Sequence, residues 1–152
     1  MRTEKNQPES EALSMAILDT DLLIFYLRKK EKAYEIVQSL KRDNVPLNTT
    51  IFNSTELYKG SYSANNVAKS LNKVQTLLSA LNEILAFNER SVQEFAKISS
   101  DLKKRGVTIG IMDELIAGIC IANNEELYTG NIRHFKKIPE LSITNWRTIE
   151  IS

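Results

Sequence analysis

The sequence contains one cysteine, one histidine and no long apolar run. A single cysteine, Cys120, excludes an internal disulfide bond and favours a reducing compartment. A single histidine, in a chain without CxxC or HExxH patterns, excludes zinc sites built from several His or Cys ligands. No apolar stretch approaches the roughly 18 residues needed to span a membrane, and the N-terminus lacks the apolar segment of a signal peptide. We therefore expect a cytoplasmic protein.

The sequence also lacks a strong excess of either charge. Its formal net charge is +1, which neither indicates nor excludes a nucleic-acid partner. Basic residues do cluster locally, at 28–30, 103–105 and 133–137, and such clusters are either solvated faces or phosphate contacts. The length of 152 residues and the apolar content of 42% are typical of one globular domain. We expect residues 1–14 to form a disordered tail and residues 15–152 to form that domain.

Apolar runs alternate with segments of helical spacing along the chain. Strands are predicted at 16–18, 45–48 and 126–129, with short final strands or edges at 141–146 and 148–151. Residues 84–87 form either a third strand or a short connector. Helices are predicted at 22–27, 32–42, 51–60, 64–83, 88–105 and 112–123. This alternation favours an α/β fold, a three-layer α/β/α sandwich with a mainly parallel central sheet.

Polar side chains lie where several predicted elements begin or end. Asp19 and Asp21 follow the first strand, Glu56 lies on a helix, Asp113 begins another helix, and Asn131 follows a late strand. Ligands bind in open α/β sheets at the carboxyl ends of the strands, so these residues can meet there. Each also has a structural alternative, such as an exposed helical glutamate or a turn asparagine. Asp19 is the exception, because a carboxylate that ends a buried strand has no evident structural purpose.

Taken together, these residues predict a metal site. Several oxygen ligands without histidine or cysteine suit a hard cation such as Mg²⁺ or Mn²⁺. A divalent cation relieves the repulsion between converging carboxylates and can activate water for attack on a phosphodiester. The residues therefore indicate metal-assisted hydrolysis.

Four segments carry a resemblance to a known family. They are ILDTDLLIFYL at 17–27, TELYKG at 55–60, IGIMDELIAG at 109–118 and YTGNIRHF at 128–135. Their order and spacing resemble those of the PIN-domain ribonucleases, specifically the VapC-like toxins of type II toxin–antitoxin pairs. The resemblance implies a PIN-like fold and a Mg²⁺- or Mn²⁺-dependent endoribonuclease. It places the metal-binding acids at Asp19, Glu56 and Asp113, with Asn131 at a fourth catalytic position that is often acidic.

Three further residues have supporting roles in this interpretation. Thr129 would help Asn131 to position water or phosphate, and Asp21 would hold the loop rather than bind metal directly. His134 stands where many family members carry an acid. It is a surface residue, a phosphate contact or a proton-transfer group, and the surface interpretation is favoured.

The resemblance also implies partners, namely an RNA substrate, a small cognate antitoxin and a second copy of the chain in a homodimer. Two other functions stay open at this point. One is an inactive PIN-like module that binds RNA or protein. The other is an aspartyl-phosphate phosphatase, suggested by the Asp19-Thr20-Asp21 sequence, although Leu23 replaces the threonine which that class requires.

Overall fold

The computed structural model describes residues 14–150. The expected disordered tail falls almost entirely on residues 1–13, which lie outside the described part of the chain. Within residues 14–150, no helix is both long and apolar enough to cross a membrane.

The centre of the fold is a parallel sheet of five short strands. Along the chain they are β1 (Ala16–Leu18), β2 (Leu47–Thr50), β3 (Glu83–Leu85), β4 (Glu126–Thr129) and β5 (Ile143–Asn145). Their spatial order is β3-β2-β1-β4-β5, and every neighbouring pair is parallel. The chain therefore builds one half of the sheet outward from β1, then returns to β1 and builds the other half. The order of connection reverses between β1 and β4, so a crevice opens there at the carboxyl ends of the strands.

Seven α-helices connect and cover the strands within residues 14–150. They are α1 (Thr20–Leu27), α2 (Glu31–Arg42), α3 (Ile51–Tyr62), α4 (Val67–Ala80), α5 (Glu89–Lys104), α6 (Ile111–Ala122) and α7 (Ile132–Phe135), and a 3₁₀ turn follows at Trp146–Thr148. The three-layer α/β/α sandwich expected from the sequence is confirmed.

Two apolar cores lie on opposite faces of the sheet. On β1, the side chains of Ala16 and Leu18 join one core and that of Ile17 joins the other, as strand geometry requires. The first core is completed mainly by α1, α2 and α4, and the second mainly by α5 and α6. Because both faces are covered, β1 is apolar throughout rather than alternating.

Several predicted boundaries are wrong. The second strand begins two residues later than predicted, so Thr49 lies in it and donates a hydrogen bond from Oγ1 to the Leu18 carbonyl at 2.7 Å. Helix α3 continues through Gly60 to Tyr62 instead of ending at the glycine. A 3₁₀ turn at Trp146–Thr148, in which Trp146 is buried, replaces the end of the strand predicted at 141–146, and residues 148–150 of the last predicted strand form no strand, while residue 151 lies outside the described part of the chain. Local pattern cannot separate these outcomes, because tertiary packing decides them.

The buried face of α5 also differs from the prediction. The sequence pattern favours Val92, Phe95 and Leu102 on the inner face, with Ala96 and Ser99 beside them. The structure buries Ser91, Ile98 and Leu102, whereas Val92 is exposed. Ser91, Ile98 and Leu102 share one face of the helix by their spacing, so the inner face of α5 is turned from Val92 toward Ser91.

Candidate metal and catalytic site

The crevice between β1 and β4 brings Asp19 into contact with the other half of the sheet. Asp19 follows the last residue of β1, and Thr129 ends β4. The Thr129 hydroxyl donates to Oδ2 of Asp19 at 2.6 Å, and the Asn53 amide donates to Oδ1 at 2.8 Å. Both carboxylate oxygens of Asp19 therefore accept a hydrogen bond from a residue of a different element.

Asp19 is buried, with only 6% of its surface exposed. Burial raises its pKa from the ordinary 3.8 to about 7 because desolvation disfavours the charged form. The hydrogen bond from Thr129 acts in the opposite direction, while the nearby charge of Asp21 raises the pKa further. A carboxylate in this position is costly unless positive charge reaches it.

Asn53 is a site residue that the sequence analysis missed. It lies at the third position of α3, where Thr50 caps the helix by accepting hydrogen bonds from the backbone N–H groups of Phe52 and Asn53. The side-chain oxygen Oδ1 of Asn53 accepts hydrogen bonds from the backbone N–H and the hydroxyl of Thr50. The side-chain nitrogen Nδ2 therefore faces Asp19 and Thr20. A polar residue three positions after a capping threonine was the available signal. By itself, it indicates only a capping box.

Glu56 lies one turn further along α3 and enters the same site. Thr20 donates a hydrogen bond to Oε1 of Glu56 and accepts one from Asn53 at 2.9 Å. Partial burial raises the pKa of Glu56, the Thr20 hydrogen bond opposes this, and the charges of Asp113 and Asp21 raise it further. These two charge effects indicate that the carboxylates of Glu56, Asp113 and Asp21 share one region.

Asp113 lies in the first turn of α6 and contacts both Asn131 and His134. The Asn131 amide nitrogen donates to Oδ2 of Asp113 at 3.1 Å, and Nδ1 of His134 lies 2.8 Å from the same oxygen. The ring therefore donates to Asp113 when Nδ1 carries the proton. The His134 ring is 30% exposed and contacts an expected metal ligand, so its role as a surface residue, a phosphate contact or a proton-transfer group stays a prediction.

Asp21 contacts the loop that follows β4. Its Oδ2 accepts a hydrogen bond from the backbone N–H of Gly130 at 2.8 Å, and its Oδ1 accepts one from the Trp146 indole at 3.3 Å. The Arg147 guanidinium lies 3.8 Å from Oδ2 and also covers the Phe25 and Trp146 rings. Asp21 therefore connects the start of α1 to the two segments that follow β4 and β5.

The donor chemistry of the cluster suits a hard divalent cation. Asp19, Glu56 and Asp113 supply carboxylates, and the repulsion that raises the pKa of Glu56 is what a cation would relieve. As the side chains stand, however, no three Asp, Glu, His or Cys residues within 14–150 are arranged to hold one ion. Glu56 is instead bonded to Thr20, and Asp113 to Asn131 and His134. The three expected metal ligands therefore stay a prediction.

Comparison with known proteins identifies the family. A family model described as the PIN domain matches residues 16–141, which is most of the chain. The chain belongs to the PIN-domain family. The segments of this PIN domain that carry the resemblance, from 17–27 to 128–135, all lie within the matched span.

Known relatives of this PIN-domain protein are VapC proteins. Ribonuclease VapC2 of Rickettsia felis is 30% identical over 130 residues, which cover 86% of this chain and 96% of that relative. The tRNA(fMet)-specific endonuclease VapC of Salmonella typhimurium is 27% identical over 130 residues, with the same coverage. The crystal structure of VapBC2 from Rickettsia felis bound to a promoter DNA fragment aligns with a TM-score of 0.80 and 27% identity, covering 87% of this chain and 98% of that one. The predicted resemblance to VapC-like proteins is confirmed.

Proposed function

We propose that this protein is a divalent-metal-dependent endoribonuclease and the toxin of a type II toxin–antitoxin pair. The observation that carries the proposal is the buried Asp19 at the point where the sheet reverses its order of connection. Hydrogen bonds link it to Glu56 through Asn53 and Thr20, and to Asp113 through Thr129 and Asn131. The names of the VapC relatives support RNA as the substrate, and one of them specifies a tRNA. The structure argues against the phosphatase alternative, because Leu23, which stands where that class requires a threonine, is fully buried in the core.

In this proposal, Asp19, Glu56 and Asp113 hold Mg²⁺ or Mn²⁺. When bound, the cation supplies positive charge that stabilises the phosphodiester transition state and lowers the pKa of the attacking water. Thr129 and Asn53 fix the orientation of the Asp19 carboxylate through the hydrogen bonds described above. Asn131 and His134 fix Asp113 in the same way, and preorganised carboxylates avoid reorganisation during the reaction.

Cleavage of a structured RNA such as a tRNA tests the enzymatic part. We expect cleavage in Mg²⁺ or Mn²⁺, none in EDTA, and a loss of at least 100-fold in D19N and D113N. The control is D101N, because Asp101 is an acid on the exposed side of α5, where it pairs with Arg105. Full cleavage by both D19N and D113N would contradict the proposal, and RNA binding without cleavage by the wild type would favour the inactive module.

An apolar groove offers a binding site for the antitoxin. Its volume is about 480 Å³, and it lies between α1, α2 and α4. The stacked rings of Tyr26 and Tyr34 line it, together with apolar residues such as Leu77, and Lys29 and Lys41 also lie in its wall. We propose that a short amphipathic segment of the antitoxin docks here with acidic residues toward the lysines. The VapBC2 complex supports an antitoxin partner for the group.

Substitution in the groove tests this partner. Y34A combined with K41E should weaken binding of the protein encoded by the adjacent reading frame at least tenfold. RNA cleavage should stay within twofold of wild type, because neither residue contacts the carboxylate cluster. Unchanged antitoxin binding would place the partner elsewhere.

We also propose that the protein is a homodimer. Ile51 and Ile111 begin α3 and α6, are 43% and 61% exposed, and lie on helices that contact each other. In this proposal, the second copy covers these two exposed apolar side chains. I51E combined with I111E should shift the protein from dimer to monomer in light scattering, and a wild-type monomer at micromolar concentration would contradict the proposal.

A further inference from the structure

Gly60 occupies a helical position that does not require glycine. Helix α3 passes through it with two more residues beyond, and its φ is not positive. A Cβ atom at this position would meet no other atom within 4 Å. Glycine is less favourable than alanine in a helix interior, so neither the backbone nor packing explains its presence.

The missing side chain leaves space in a pocket beside the acidic cluster. This pocket, with a volume of about 300 Å³, lies between α1, α3 and α4 and has Glu56 in its wall. Ile24, Leu57 and Val74 give it an apolar lining. Ser61 and Ser70 add two hydroxyl groups that lie 2.9 Å apart. The pocket therefore offers an apolar surface, hydrogen-bonding groups and direct continuity with a proposed catalytic residue.

Two cations complete the lining of this pocket. Arg28 follows the last residue of α1, and Lys73 lies on α4. Arg and Lys side chains contact the phosphates of single-stranded RNA while its unstacked bases enter apolar or aromatic pockets. The volume is at the lower end of small-molecule sites, which span roughly 300–1,000 Å³, and so suits one nucleoside.

We propose that this pocket, here called the Gly60 pocket, binds the base of an RNA nucleotide next to the bond that is cleaved. The inference rests on the proposed ribonuclease function and adds a determinant of cleavage-site choice. The apolar side chains contact the faces of the base, the serine hydroxyls contact its edge, and Arg28 and Lys73 contact the flanking phosphates. Gly60 has no side chain, which leaves room for the base to enter.

The experiment combines filling the pocket with removal of the base. G60L places a leucine in the pocket, and T55L adds the same side chain to an exposed position on the opposite side of α3 as the matched control. A short RNA that the wild type cleaves at one site is prepared with a single abasic nucleotide at each position in turn. Thermal unfolding checks that both variants fold.

We expect one position, adjacent to the cleaved bond, at which base removal lowers kcat/KM of the wild type at least tenfold. G60L should lower kcat/KM on the intact RNA by a similar factor, and removal of the base at that position should not lower it further. T55L should behave as wild type on both RNAs. Equal abasic profiles for G60L and wild type would overturn the inference while leaving the ribonuclease intact. Normal cleavage by G60L with loss of antitoxin binding would overturn it too and assign the pocket to the protein partner.

The same RNAs are also measured by equilibrium binding to D113N and to D113N/G60L. A base-dependent loss of affinity in the double variant supports the pocket without relying on cleavage, and equal affinities overturn it. Failure of the wild type to cleave any RNA in Mg²⁺ or Mn²⁺ would instead overturn the proposed function, so the two failures can be distinguished.

Discussion

The hydroxyl of Thr129 lies 2.6 Å from Oδ2 of Asp19, although 110 residues separate them in the chain. The contact crosses the crevice between β1 and β4 and joins the two halves of the sheet. Thr129 also accepts a hydrogen bond from the backbone N–H of Asn131 at 2.9 Å. One hydroxyl therefore positions both the buried carboxylate and the residue that contacts Asp113.

Removing this hydroxyl should impair activity without unfolding the protein. T129V keeps the volume and the β-branched shape but leaves Oδ2 of Asp19 without its donor. We expect a loss of about 10–100-fold in metal affinity or kcat/KM, the usual effect of removing a group that orients a metal ligand. T129S restores the hydroxyl and should recover most of the activity. Equal activity of T129V and wild type would show that the contact does not position Asp19.

The raised pKa of Asp19 predicts a pH-dependent stability. The folded chain holds the proton up to about pH 7, whereas the unfolded chain releases it near the ordinary value of 3.8. The unfolded state therefore binds fewer protons across this window, and the free energy of unfolding falls as pH rises from about 4 to about 7. The whole difference corresponds to about 4 kcal/mol.

D19N removes this dependence because asparagine carries no charge. In EDTA, the variant should unfold at a higher temperature than wild type at pH 8, and the difference should shrink toward pH 4. Thermal unfolding across this pH range measures it, with D101N as the control for a substituted exposed acid. A difference that does not vary with pH would contradict the assignment.

Divalent metal should stabilise the wild type through the same carboxylates. At a concentration 100 times its Kd, a ligand that binds only the folded state stabilises by about 2.7 kcal/mol. Mg²⁺ or Mn²⁺ should therefore raise the unfolding temperature of the wild type, and EDTA should reverse the change. D19N and D113N should respond little. An equal response in all three proteins would place the metal elsewhere.

Gly130 is required by the close approach of two side chains. A Cβ atom there would clash with Nε of Arg147 and would lie 2.5 Å from Oδ2 of Asp21. Arg147 is flexible, but Asp21 is held by the Gly130 N–H and the Trp146 indole. We expect G130A to cost about 1–3 kcal/mol of stability, typical of an overpacked site, and to displace the turn that carries Asn131. Denaturant unfolding of G130A, R147A and the double variant measures how much of the clash Arg147 relieves; additive effects would contradict the direct contact.

The contact between His134 and Asp113 should influence catalysis rather than stability. H134A removes the ring nitrogen that lies 2.8 Å from Oδ2 of Asp113, and we expect kcat to fall about tenfold. H134N can return an N–H group near the Nδ1 position and should recover part of the rate. Kinetics on one RNA substrate at saturating metal measures both variants. Wild-type kcat in H134A would favour the interpretation of His134 as a surface residue.

Periodicity located the main elements but not the details of their packing. The apolar run at Ala16–Leu18 was sufficient to locate β1, and the spacing of apolar residues was sufficient to locate α2, α4 and α6. These patterns arise because each element is buried on one side or on both. The predicted inner face of α5 and the predicted end of α3 were wrong: Ser91 is buried in place of Val92, and α3 continues through Gly60 to Tyr62. The role of Asn53 in the site was not predicted, because its hydrogen-bond partner Asp19 is 34 residues away in the sequence.

The sequence by itself determined the alternation of strands and helices, the buried first strand and the motifs that mark a PIN domain. These are local properties, set by the spacing of apolar residues and by the residue types at strand ends. Only the tertiary structure decided that Thr129, Asn53 and Asp21 surround the crevice, that His134 contacts Asp113, and that Gly60 opens a pocket. Such relationships depend on how distant segments meet across the sheet, and on the desolvation that follows, which raises the pKa of Asp19 to about 7.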